Sequence, residues 1–211
     1  MALLHQASIT PTKLEALSAW APHRPWFVGG GELTILGAYR FDDPADEVGI
    51  ETFLVRAGDG PVLQVPVTYR SAPLEGAERD LVTEMEHSVL GPRWVYDGCA
   101  DPVYAAALAT TVLTGGRQAE MHLEVDGVLK AREATTFVTG SGVPGTPVPA
   151  VGPVERREEP ERTVLDAGAL ELTVVRVVTP TTVVNVEGEH TLMGRWSDRS
   201  TPTLLAMVRV S

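Results

Sequence analysis

Cysteine is almost missing from this chain: Cys99 is the only one in 211 residues. One thiol cannot make an internal disulfide, so the fold depends on its core and suits a reducing compartment. Lysine is scarce too, with only Lys13 and Lys130. Long apolar runs are lacking, and none approaches the ~20 residues of a spanning helix. The opening stretch MALLHQASITPTKLEAL has no basic start, apolar centre or small-residue cleavage site of a secretory signal. Cytoplasmic location is therefore the expectation. Positive charge is in deficit, with 28 acidic against 17 basic residues and a net charge of −11. Such a surface repels nucleic acid and anionic lipid. Even the densest basic segment, Glu155 to Arg162, mixes signs and reads as solvated.

What is present is a folded protein. The length admits one large domain or two small ones, with enough apolar content for a real core. Leu14, Leu17 and Trp20 fall at three-residue steps behind Thr10 or Thr12, which predicts a short amphipathic helix ended by Pro22. In ELTILGAYRF, alternation puts Leu33, Ile35 and Gly37 on one face of a strand. Two further strands flank Ala57-Gly58-Asp59-Gly60, a hairpin signal. Pro66 in the second of these argues for an edge position or a bulge. The clearest helix is DPVYAAALATTVL, with Asp101 as cap, Pro102 in the first turn and Gly115-Gly116 as stop. Val103, Ala107, Leu108 and Thr111 mark its inward side. A second hairpin is expected around Asp126-Gly127. The order helix, three strands, helix, two strands predicts an α+β fold with an antiparallel sheet.

Residues 140–162 are dense in proline and glycine and read as a linker or long loop. They separate an α+β unit at 1–139 from a β-rich unit at 163–211. Three or four antiparallel strands are expected in the latter, with turns at Thr179-Pro180, Glu187-Gly188 and Asp198. These strands either form a second small sheet or extend the first.

Chemical motifs mostly fail on spacing. Gly29-Gly30-Gly31 is followed by Glu32 and Leu33, not by the Lys and Ser or Thr of a phosphate loop. A kinase-type glycine loop would need glycine where Thr34 stands. The glycines therefore read as a turn out of the Trp26-Phe27 anchor. The histidines His5, His23, His87, His122 and His190 are scattered and form no metal-ligand pattern. Cys99 lies between Asp97 and Asp101, whose charges disfavour a thiolate.

The densest polar and aromatic stretch is EMEHSVLGPRWVYDGCADPVY, residues 84–104. Trp94 and Tyr96, two apart on a strand, share a face. With His87, Arg93 and Asp97 they are the candidate ligand site, since carboxylates beside an aromatic platform suit a sugar. The structural alternative packs Trp94 and Tyr96 on the following helix, with Asp97 holding loop amides and Asp101 capping.

Together, PHRPWFVGGGELTILGAY, VLQVPVTYR and RWVYDGCADPVYAAALATTVLTGG resemble the N-terminal cap region of actinobacterial maltokinases. The stand-alone cap-like proteins are especially similar, over about residues 10 to 125. The family's Arg-Trp-Phe-Ala-Gly type run is matched by Arg24, Trp26, Phe27 and Gly29, with Pro25 inserted and Val28 for the small residue. Its Tyr-Asp segment ahead of a helix is matched by Tyr96, Asp97 and Asp101. The resemblance implies a cystatin-like layout, with Trp26, Phe27, Gly29 and Asp101 as structural anchors. It also implies a link to maltose, trehalose or α-glucan metabolism.

Where the family often has basic residues after the turn glycine, this chain has Gly30, Gly31 and Glu32. It also shows no His-x-Asp catalytic loop, no Asp-Phe-Gly and no lysine for nucleotide phosphates beyond Lys13 and Lys130. The expectation is a non-catalytic binding or regulatory protein without cofactor or metal. It would act through a protein partner or as a homo-oligomer, apart from nucleic acid and membrane. The alternatives are an oligosaccharide site at Trp94, Tyr96 and Asp97, or a component of an ATP-dependent kinase.

Overall fold

The computed structural model describes residues 2–4, 8–125, 128–179, 188–197 and 199–211. Its elements run β1 (Ala2–Leu4), β2 (Ile9–Thr10), α1 (Lys13–Trp20), β3 (Leu33–Phe41), β4 (Gly49–Ala57) and β5 (Val62–Arg70). Then come β6 (Leu81–His87), β7 (Gly91–Asp97), α2 (Pro102–Leu113), β8 (Met121–Val125), β9 (Val128–Arg132) and β10 (Thr136–Gly140). The chain continues as β11 (Glu155–Glu158), β12 (Arg162–Asp166), β13 (Leu170–Val175), β14 (Val177–Val178), β15 (Glu189–Trp196) and β16 (Arg199–Val210).

The strands form two large sheets and a small one. The first sheet has the order β2-β6-β7-β5-β4-β3, with β14 also on β5, and the second β10-β15-β16-β13-β12-β11. Strands β1, β8 and β9 make the small sheet, in which β1 and β8 are parallel. Every other pairing is antiparallel. The fold class is the expected α+β, and the C-terminal strands form a second sheet that also takes in β10. Five strands, not three, separate the two helices, because the 84–104 segment contributes to both strands of the β6–β7 hairpin. The expected turn at Asp126-Gly127 lies outside the described residues, as do Pro180, Glu187 and Asp198.

Helix α1 starts on a capping box: Glu15 N–H donates to Thr12 Oγ1 and Thr12 N–H to Glu15 Oε2. It buries Ala16, Leu17 and Trp20, whereas Leu14 stays exposed. With Trp26, Phe53, Val65 and Val95 these residues form a core on one side of the first sheet. Helix α2 begins as expected, with the Asp101 carboxylate accepting from Val103 N–H. It lies across β10, β13, β15 and β16, so the sheet beneath it is the C-terminal one. Tyr104, Leu108 and Val112 join Tyr39, Ile50 and Leu54 of the first sheet and Leu165, Leu172 and Leu192 of the second. Both sheets therefore enclose one core.

Two strand details differ from simple alternation. The β3–β4 register shifts between Ile35 and Gly37, so Leu33 and Ile35 share the face of Val55 and Ala57 while Gly37 falls on the opposite face with Leu54. Pro66 sits in the centre of the first sheet, neither at its edge nor in a bulge. Gln64 N–H points to Arg176 O, so position 66 faces the same flank two residues on. On that flank β14 pairs only with 62–63 and β7 only with 67–70. The missing N–H thus falls in the gap between two partners, where Gly98 packs against the ring.

The segment 141–154 is a long loop, but it is fastened to the core. Gly142 N–H and Val143 N–H donate to Val112 O and Leu113 O, so the loop caps α2. A Cβ at Gly142 would overlap the Leu113 carbonyl, which explains glycine there. Val148, Val151 and Val154 then pack on the core.

The triple glycine is a turn laid against the β4–β5 hairpin. Gly29 and Gly31 have φ of +119° and +93°, and a Cβ on Gly29 would meet Ala57 O at 2.9 Å. Gly30 has open space and no positive φ. Gly29→Ala is expected to lower stability by about 1–3 kcal/mol, and Gly30→Ala by less than about 1. Urea unfolding of the two variants checks this; equal losses would contradict the turn geometry.

Candidate functional site

The polar residues of the interior converge where the chain crosses between sheets. Strand β13 belongs to the second sheet and β14 to the first, and Arg176 is the bend between them. Its N–H and that of Val177 both donate to Glu161 O, and its carbonyl accepts from Gln64 N–H. The side chain of Arg176 is fully buried, as is that of Asp97 at the end of β7. Arg176 Nη2 donates to both Asp97 oxygens, at 2.8 and 2.7 Å, and Nε to Thr163 Oγ1 at 2.8 Å. Its guanidinium also lies 4.7 Å from the Trp26 ring centre. Burial alone would lower the Arg176 pKa, but the Asp97 charge outweighs it and holds the guanidinium protonated.

Neighbouring polar groups extend this cluster. Arg156 Nη2 on β11 donates to Asp80, while its Nη1 is 3.7 Å from Asp97 Oδ2. The Glu155–Arg162 segment is thus not simply solvated: Arg156 points inward. Gln64 spans the sheets, accepting from Tyr39 Oη and donating to Val175 O and Leu205 O. Cys99 is fully buried, and burial pushes its thiol pKa well up, so it stays protonated and unreactive. A second ionic group lies on the α1 side of the first sheet. There Glu51 accepts from Lys13 Nζ at 2.6 Å and Tyr69 Oη at 2.8 Å. Burial opposes ionisation of Glu51, but Arg40 and Lys13 overcome it and lower its pKa.

The candidates of the 84–104 stretch are not one constellation. His87 stands at the turn end of the β6–β7 hairpin, where Nδ1 accepts from Val89 and Leu90 N–H. Tyr96 and Asp97 are at the other end. Tyr96 is buried, its hydroxyl accepting from Leu74 N–H. Trp94 and Arg93 are half-buried, and Arg93 Nη1 donates to Pro92 O. Asp97 also accepts from Cys99 N–H, and Asp101 takes a two-pronged bond from Arg70. Of the anchor residues, Trp26 is fully buried and Phe27 packs half-buried beside it.

Two shallow surface grooves exist apart from these residues. One of about 480 Å³ runs between α2 and segment 116–120, and one of about 340 Å³ lies beside Arg56 and Arg199. Among the described residues, no group of three or more His, Cys, Asp or Glu could hold a metal ion. No described helix is long and apolar enough to cross a membrane.

The residue missed in the sequence is Arg176, although it left a signal. It is the single charge in the run Leu172–Val178, and a charge inside a buried strand requires a partner.

An α+β protein of antiparallel sheets, with its acidic motif joined to a buried arginine, is the class that this geometry defines. Residues 20–101 match the maltokinase N-terminal cap domain, just under two fifths of the chain. Over that segment the chain is similar to the maltokinase N-terminal cap domain. The matched part holds Trp26, Asp97 and Asp101, while Arg176 and Arg156 lie beyond it. No curated protein matches the chain.

Proposed function

We propose that this chain is a non-catalytic binding or regulatory module of the maltokinase-cap type, acting in maltose, trehalose or α-glucan metabolism. One observation carries the reading: Tyr96, Asp97 and Asp101 of its motif are committed to holding the fold. Both Asp97 oxygens accept from Arg176, both Asp101 oxygens from Arg70, and Tyr96 Oη from Leu74 N–H. A general base needs a carboxylate within reach of a substrate proton, whereas Asp97 and Asp101 are buried with their charges already paired to arginine. Lys13 is likewise engaged, on Glu51. What remains for function is the outer surface and a partner docked on it. A second reading has one favourable observation: Trp94 keeps part of its indole at the surface, opposite Arg70 and the exposed Glu84. An aromatic face beside charged groups suits a sugar ring.

Isothermal titration with maltose, trehalose, malto-oligosaccharides and magnesium–ATP separates these. The docking reading expects no heat from any of them. Sugar binding that Trp94→Ala abolishes would establish the second reading. Turnover of ATP onto maltose above a heat-killed control would overturn both.

A further inference from the structure

The second sheet has a face that the core does not use. Leu165, Leu172, Val174, Leu192 and Val208 point inward, so the alternate residues point out. Val164, Thr173, Met207 and Thr191 make one outward rung across four strands, in which Val164 is buried and lies beside the exposed Arg157 of β11, and Met193 pairs with Leu204 next to it. Met193, Leu204 and Met207 are partly exposed, and Phe137 is 45% exposed next to Arg195. Charges bracket this apolar band by sign. At one end the rung Asp166–Glu171–Arg209–Glu189 carries three acids and one arginine, with Glu155 beside Asp166. At the other end stand Arg162 on β12, ion-paired with Glu159, and Arg195 on β15. Strand β12 therefore has arginine at its start and aspartate at its end, while β15 runs from glutamate to arginine.

We propose that this face is a homodimer interface, with two copies packed face to face about a two-fold axis running across the strands. Such an axis reverses the strand ends and keeps each strand over its own copy. Arg195 then meets the partner's Glu189, and Arg162 the partner's Asp166. The methionine rung meets itself at the centre. Stacking without that reversal would put acid on acid, so the charge pattern selects one arrangement. Six strands about 4.8 Å apart, each presenting roughly 18 Å of length, offer about 450 Å² per copy. That is near half of a standard interface of about 800 Å² per partner, so the dimer is weak and forms at high concentration. The proposal stands independently of whether another protein docks elsewhere.

Sedimentation of the full chain up to about 0.5 mM tests it, since this range covers weak association. Wild type is expected to shift from monomer to dimer with concentration. Arg195→Glu and Glu189→Arg are each expected to weaken dimerisation at least about tenfold, the effect of losing roughly 1.4 kcal/mol. An equimolar mixture of the two variants is expected to associate again, because each supplies the charge that the other lacks. Both sites are on the surface, and circular dichroism and melting temperature show whether each variant is folded. A wild type that stays monomeric would overturn the proposal. So would a dimer indifferent to both variants, or a mixture that does not recover.

Discussion

Arg176→Met is expected to lower the stability of this protein by about 3–5 kcal/mol, since it leaves the buried Asp97 carboxylate without its main counter-charge. The loss comprises two bonds to Asp97, one to Thr163 and the stacking on Trp26. Arg156, 3.7 Å from Asp97, offsets only part of it. Asp97→Asn should cost a similar amount, because it strands the guanidinium while keeping an acceptor for Cys99 N–H. The double variant should be much less harmed than the sum, as removing both charges relieves the desolvation that each left behind. Chemical unfolding of the four proteins gives the coupling energy. A coupling under about 0.5 kcal/mol would show that the pair does not act as a unit.

This pair also states what joins the cap-like segment to the rest of the chain. Asp97 belongs to the matched part and Arg176 to the C-terminal half. Gln64 makes the same connection through backbone carbonyls of β13 and β16. A buried charge demands a specific partner, whereas apolar surfaces accept many, so Asp97 and Arg176 fix how the sheets meet. That division of labour explains why an acidic-aromatic motif can look like a site in sequence. The residue types of a catalytic cluster are the same ones that hold a two-sheet interior together.

Local signals in the sequence were readable where local physics decides. The Thr12 and Asp101 caps, the β4–β5 hairpin and the Gly29 turn all follow from neighbouring residues. Pro66 was misread because its place depends on where β14 ends and β7 begins, strands 25 or more residues from it along the chain. Gly37 does not share the face of Leu33 and Ile35, because a bulge at Leu36 reverses the alternation after Ile35. Asp97 was visible as an unusual residue, but its partner, 79 positions away, was not. Pairing at such separation is set by tertiary packing and leaves no period in the sequence.

Trp26→Ala is expected to cost about 3–5 kcal/mol, the range for emptying a large aromatic site in a core. Trp26 is fully buried, with the Trp20 ring 5.9 Å away and the Arg176 guanidinium at 4.7 Å. Truncation therefore removes apolar packing in the α1 core and one wall of the Arg176 chamber together. Trp26→Phe keeps an aromatic face and most of the volume, so its loss should stay below about 2 kcal/mol. The two neighbours of the ring make a sharper test possible. Arg176→Met and Trp26→Ala should combine to less than their sum, because the cation–π contact is lost only once. Trp20→Ala touches Trp26 but is not in contact with Arg176 through a ring, so it should combine with Arg176→Met almost additively. Thermal or urea unfolding of this set separates packing from charge. An unchanged midpoint for Trp26→Ala would mean that the ring anchors neither the core nor the buried ion pair.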